Sequence, residues 1–193
     1  LTVSGGATTN TFKRVIVGDK STAEGTITVT GADSSFTING TTSDIYLAVG
    51  SSGVGTVKLA DGASFNSNTA VLGFLASGNG TLDLTGADTR FVNTNYIAVG
   101  YYGIGEATVR DGATIAVTGA AGVRIGYLAG STGTLNIGAA AGDAAGVAGH
   151  IESPKVVFGP GSGTLVFNHT NTSYDFSSAI SGTGFINHLS GVT

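Results

Sequence analysis

Short stretches in which apolar and polar residues alternate recur along this chain. Each follows one phrase: Gly-Thr, apolar, any, apolar, with a second Gly two residues upstream in most copies. The phrase starts at Gly25, Gly55, Gly80, Gly105 (with Glu for Thr), Gly133, Gly163 and, degraded, Gly184. The second and fourth residues after the leading Gly are apolar: Ile27/Val29, Val57/Leu59, Leu82/Leu84, Ala107/Val109, Leu135/Ile137 and Leu165/Phe167. The first and third are mostly polar, as in Thr26/Thr28, Thr56/Lys58 and Thr81/Asp83. A period of two predicts strands with one buried face. After a turn, a second run places Phe36, Phe65, Phe91 and Ile115 in equivalent positions. A third run ends in an apolar residue plus Gly, as at Val17-Gly18, Val49-Gly50, Leu72-Gly73, Val99-Gly100, Ile125-Gly126 and Phe158-Gly159. That Gly marks a corner where the backbone needs a positive φ or leaves no room for Cβ.

The phrase starts are 30, 25, 25, 28, 30 and 21 residues apart. A period in this range predicts a stacked array whose units bury their cores only against neighbours. Three strands and three corners in about 25 residues predict one coil of a parallel β-helix. Seven to eight such rungs, about 4.8 Å apart, make a rod roughly 35–40 Å long. A second-order repeat lies on the first. The turn after the first strand reads Gly-Ala-Asp at Gly31 and Gly86 but Asp-Gly-Ala at Asp61 and Asp111, and Tyr46 and Tyr96 occur only in units of the first kind. We read residues 1–193 as a single β-helix segment. Residues 1–132 hold the regular alternating rungs, and residues 133–193 hold rungs interrupted by an Ala/Gly-rich loop from Gly138 to Gly149. The chain opens inside a copy of the phrase and closes in a degraded one, with His188 where an apolar residue belongs. Further rungs in a longer protein are therefore expected.

Composition narrows the partners. Charged residues make up 10% of the chain, and Thr, Ser, Asn and Gly supply the polarity, which suits sheet and turns rather than disorder. The net charge of −4 and the scattered Lys and Arg argue against nucleic acid. No apolar run reaches the length of a membrane helix. Absence of Cys removes disulfide and cysteine–zinc frameworks.

The C-terminal stretch carries Gly161, Gly163, Thr164, Leu165, Phe167, Asn168, Tyr174, Phe176, Ile180, Ser181, Gly182 and Gly184. It resembles the passenger-associated repeats of autotransporters, the type V secreted proteins of Gram-negative bacteria. The upstream Gly-Thr and Val-Gly units are similar to generic passenger rungs. The resemblance implies a right-handed β-helix displayed at the cell surface or extracellularly by a C-terminal outer-membrane barrel of the parent chain. Passengers of this family include adhesins, biofilm factors, proteases, esterases and secreted host-receptor ligands, so the resemblance implies a surface or virulence role without fixing the activity.

Chemistry is sparse. There is no Gly-x-Ser-x-Gly, phosphate loop, His-Glu-x-x-His or calcium nonapeptide, so no catalytic, cofactor or metal site is predicted. His150, His169 and His188 are 19 residues apart, short of a rung, and are expected as unstacked surface or loop residues. Asp33/Asp88 and Asp61/Asp111 align two rungs apart, roughly 10 Å, beyond the usual spacing of catalytic carboxylates. They are read as turn residues. Lys58 and Asp83 hold equivalent outward positions on adjacent rungs and are expected to pair. The candidate ligand-contact strip is Phe74, Tyr101, Tyr102 and Tyr127, with Leu75 and Leu128, just after the corner Gly of three consecutive rungs. It is expected either to stack on itself or to meet a sugar or protein.

The leading expectation is a non-enzymatic adhesive passenger segment contacting a host-cell protein or glycan, or other bacteria. The alternatives are a stalk for an enzymatic or toxin domain elsewhere, a released ligand for a host receptor, and a polysaccharide-cleaving β-helix. Open strand edges at the ends of the rod predict self-association.

Overall fold

The computed structural model describes residues 1–11, 14–39 and 46–193. It is all-β: a parallel β-solenoid with no helix among the described residues. The Gly-Thr phrases form one eight-stranded sheet. Its strands are Thr2–Val3, Glu24–Thr30, Val54–Ala60, Asn79–Thr85, Ile104–Arg110, Thr132–Gly138, Ser162–Asn168 and Phe185–Ser190, in that spatial order. Each phrase faces the next in register: Gly25 opposite Gly55, Gly55 opposite Gly80, Gly105 opposite Gly133, Gly133 opposite Gly163. The second and third runs of every coil share one further sheet.

Six coils carry all three runs, which makes about six turns rather than seven to eight. The coil that starts at Ser162 has no second strand, and Phe185–Ser190 stands alone in its coil. The short period from Gly163 to Gly184 accounts for the missing second strand, because 21 residues cannot supply three strands and three corners. One expected corner is also gentler than predicted. In Ser64–Leu72 and Arg90–Val99 the second and third runs are a single strand. The register slips by one residue between Asn93 and Tyr96, so a bulge bends the sheet where a break was expected.

The inward columns form one continuous dry core. Phe36, Phe65 and Phe91 stack along it, with ring centroids 4.9 and 5.3 Å apart. Parallel in-register pairing puts like residues over like, so one apolar position becomes a column. The recurring glycines have a steric reason. Gly100 has φ +75°, and a Cβ there would lie 2.2 Å from the Thr132 carbonyl oxygen at the start of the Thr132–Gly138 strand. A Cβ on Gly105 would lie 2.1 Å from the Gly100 amide. Corner and phrase thus pack backbone against backbone.

The four aligned aspartates are the non-glycine residues of positive φ among those described: Asp33 at 64°, Asp61 at 57°, Asp88 at 63° and Asp111 at 55°. Left-handed backbone is what Asp tolerates and most residues do not. In the Asp-Gly turns the Ala63 and Ala113 amides donate back to Ala60 and Arg110. Thr30 and Thr85 of the preceding coils donate to Asp61 and Asp111, each at 2.7 Å.

Candidate functional site

Two surfaces of the coil depart from a plain alternating strand. The first lies on the third run. Between its two inward residues each coil places Ile16, Ala48, Val71, Ala98, Arg124 or Val157, in register and pointing outward. Three of these are nevertheless buried, Ala48 and Ala98 completely. The rings of Tyr46, Phe74, Tyr96, Tyr101 and Tyr127 pack over them as a thin second apolar layer outside the coil.

The rings touch in series. Tyr46 to Phe74 is 5.7 Å between centroids, Phe74 to Tyr101 5.7 Å, Tyr101 to Tyr127 5.2 Å and Tyr127 to Tyr96 6.2 Å. The guanidinium of Arg124 sits 4.5 Å from the Tyr127 centroid and 5.3 Å from that of Tyr96. Such ring pairs contribute about 0.5–1.5 kcal/mol each beyond their burial. Burial raises the Tyr96 and Tyr101 hydroxyl pKa values, and their tyrosine neighbours add to it while Arg124 opposes it. Of the expected strip, Phe74, Tyr101 and Tyr127 are brought together. Tyr102 lies at the rim, edge-on to Tyr101 and 49% exposed. Leu75 is exposed and Leu128 half-buried.

The second surface is a groove of about 640 Å³ over the outward positions of the first sheet. Threonines 56, 81 and 108 line it together with Lys58, Asp83, Glu106, Arg110 and Asp111. The Ala/Gly-rich insert forms one wall, from Ala139 to Gly146. A buried Asn168 clamps that wall, its amide donating to the carbonyls of Ala140 and Asp143 at 2.9 and 3.1 Å. The insert starts at the corner after Thr132–Gly138 and lies beside the strands.

Inside the groove the expected Lys58–Asp83 pair is replaced. The two stand in register, but Asp83 is held by both nitrogens of the Arg110 fork at 3.2–3.4 Å. The planar fork matches a carboxylate better than the point charge of Lys58. Asn136, fully buried, donates to Glu106 at 2.8 Å and to Thr108 at 3.1 Å. Carboxylates that looked dispersed in the sequence therefore share one groove. Among the described residues, no three His, Cys, Asp or Glu converge as a metal site.

Comparison with known proteins adds one relative. The chain is 36% identical over 128 residues to an Escherichia coli (strain K12) protein described as the uncharacterized lipoprotein YdeK. The match covers 66% of this chain and 10% of that protein, so the chain spans about a tenth of that relative's length. No family model matches, and no solved structure does.

Two of the three histidines differ from expectation. His169 is fully buried, and its ring meets Phe167, Tyr174 and His188 at 6.4, 5.1 and 6.2 Å. His188 stands in register with Phe167 and stacks on it. Both imidazoles reach the Thr193 hydroxyl, at 2.9 and 3.3 Å. The short last coil is the reason: its 21-residue step nearly matches the 19-residue histidine spacing. His150 is exposed, as expected, and stacks on Tyr174. The Tyr174 hydroxyl donates to the Gly149 carbonyl, and burial pushes its pKa up to about 12.

Burial, and then the neighbouring His188, lowers the pKa of His169 below its ordinary 6.5. The unfolded chain therefore binds this proton more readily. The contribution is complete above about pH 6.5, falls as pH drops below that value, and levels off below the folded pKa. Amide exchange in Ser162–Asn168 and Phe185–Ser190, corrected for intrinsic rate, is expected to be faster at about pH 5.5 than at about pH 7.5. His169→Gln should flatten that dependence. An undiminished pH slope in His169→Gln would remove His169 as its source.

Sequence reasoning missed Tyr46, Tyr96 and Arg124 as members of the strip. A signal was present. The third runs read Val-Ile-Val, Leu-Ala-Val, Ala-Val-Leu and Ile-Ala-Val, apolar without alternation, which is the pattern of a strand covered on both faces.

Proposed function

We propose that this chain is an adhesive, non-enzymatic segment of a bacterial autotransporter passenger, working by display at the cell surface. Its coils wind right-handed, the hand that parallel crossovers take. The observation that carries the reading is the strip of Phe74, Tyr101 and Tyr127 with Arg124. It is aromatic, cationic at one end and solvent-facing, and it steps along the rod one coil at a time. Such rings offer flat faces to sugars or protein side chains, and repetition converts weak contacts into avidity. The passenger-like repeats at the C-terminal end support the secretion route. The description of the E. coli relative as a lipoprotein supports a location in the cell envelope. The partners are a host-cell protein or glycan, the parent chain's outer-membrane barrel, and other copies of the protein.

A second reading, a stalk for an active domain elsewhere in the parent chain, is favoured by the way the rings stack on one another. Binding of the purified chain to cultured epithelial cells and to a glycan array separates the two. In the adhesive reading, binding saturates and the Tyr101→Ala/Tyr127→Ala double variant weakens it at least about tenfold. Tyr102→Ser, which leaves the ladder intact, should weaken it less. A double variant that stays folded and binds as well as the parent chain would defeat the adhesive reading. Absence of binding by the purified, unsubstituted chain would support the stalk.

A further inference from the structure

We infer that the groove over the first sheet is a binding site for a short oligosaccharide carrying amino groups. It is separate from the aromatic strip and does not depend on the adhesive reading. Its volume of about 640 Å³ lies within the range of sites for small ligands. Its two sides differ in chemistry. The floor offers two in-register columns, Thr56, Thr81 and Glu106 and then Lys58, Asp83 and Thr108, whose polar groups step at about the 4.8 Å strand spacing, close to the advance of one sugar ring along an extended glycan. The wall offers Ala139, Ala140 and Ala144, small and apolar. A pyranose ring has the same division, with hydrogen-bonding edges and C–H faces. Rings seated edge-down on the floor would lay one face against the alanines.

Charge selects the class of sugar. The lining holds Lys58 and Arg110 against Asp83, Glu106, Asp111 and Asp143, a balance of −2. Arg110 is already engaged by Asp83 and lies 3.7 Å from Asp111. An incoming uronate or sialate would meet net repulsion, whereas an ammonium would find Glu106, held by a neutral amide, and Asp143. The floor is also preorganised, since buried Asn136 pins Glu106 and Thr108 and buried Asn168 pins the wall.

The test is calorimetry on the whole chain with a β-1,4-linked glucosamine tetramer. A glucose tetramer, a galacturonic acid tetramer and tetralysine are the comparisons. The glucosamine tetramer should bind best, the glucose tetramer more weakly and the galacturonate least. Asp143→Asn should weaken glucosamine binding roughly two- to fivefold, and Lys58→Gln should tighten it by a similar factor. Ala144→Trp sits on the exposed insert and fills the groove, so it should abolish binding without unfolding the chain. Tyr101→Ala/Tyr127→Ala should leave glucosamine binding unchanged, which separates failure of this site from failure of the strip. The inference is overturned by galacturonate binding as tightly as glucosamine, by indifference to Ala144→Trp, or by no binding at millimolar concentration. Tetralysine binding as tightly as the glucosamine tetramer would overturn it too, because charge alone would then account for the attraction.

Discussion

Gly100→Ala is expected to destabilise the solenoid by about 4 kcal/mol, at the extreme of single substitutions. Two costs combine. Alanine in left-handed backbone costs about 1–2 kcal/mol, and Gly100 has φ +75°. The larger cost is steric, because the new methyl would lie 2.2 Å from the Thr132 carbonyl oxygen and 2.5 Å from its carbon. Those are backbone atoms of the Thr132–Gly138 strand, which cannot rotate away as a side chain can. Relief requires the coil at Ile104–Arg110 or that at Thr132–Gly138 to move, which breaks ladder hydrogen bonds. Gly130→Ala is the matched control: φ is +83°, but nothing lies within 4 Å of its Cβ. It should cost only the backbone share, about 1–2 kcal/mol. Urea denaturation of the two variants measures the difference. Equal shifts in midpoint would show that contact between coils is not what the corner glycine serves.

Phe65→Ala is expected to cost about 3–5 kcal/mol. Phe65 is fully buried between Phe36, 4.9 Å away and nearly parallel at 9°, and Phe91, 5.3 Å away. Removing the middle ring leaves a void whose walls belong to two other coils, both pinned by ladder bonds. Phe65→Leu keeps most of the volume and should cost under about 1.5 kcal/mol. In a linear array a defect couples chiefly to its neighbours. Amide exchange in Phe65→Ala should therefore quicken in Ser35–Ile38 and Arg90–Val99 and stay unchanged in Ser162–Asn168. Uniform acceleration along the chain would instead mean that the solenoid unfolds as one unit.

The features legible in the sequence are those that repeat. Alternation in the Gly-Thr runs names the inward residues, and the period stacks them into columns, so Val57, Leu82 and Ala107 could be placed in one core file before any coordinates. The corner glycines and the turn aspartates were legible for the same reason. A backbone requirement that recurs every coil leaves the same residue at the same offset. The aromatic residues after each corner were visible as a series, yet their partners Tyr46, Tyr96 and Arg124 were not. Tyr46 and Tyr96 approach from the other end of the third run and Arg124 from its middle, and only packing on the outer face brings them into one layer.

The exceptions to the repeat were decided by the tertiary structure. Whether Asp83 pairs with Lys58 or with Arg110 depends on side-chain reach and fork geometry across neighbouring coils, which in-register pairing alone does not specify. The insert Gly138–Gly149 has no counterpart in other coils, so no offset foretold that Asn168 would fold it into a wall. His169 is buried because one coil is shorter than the rest, which brings two histidines together at the end of the rod. The sequence by itself determined the coil, its core and its corners, because these are set by local geometry summed over equal steps. The groove, the outer aromatic layer and the histidine pair depend on contacts where the steps become unequal, and those contacts exist only once the coils are stacked.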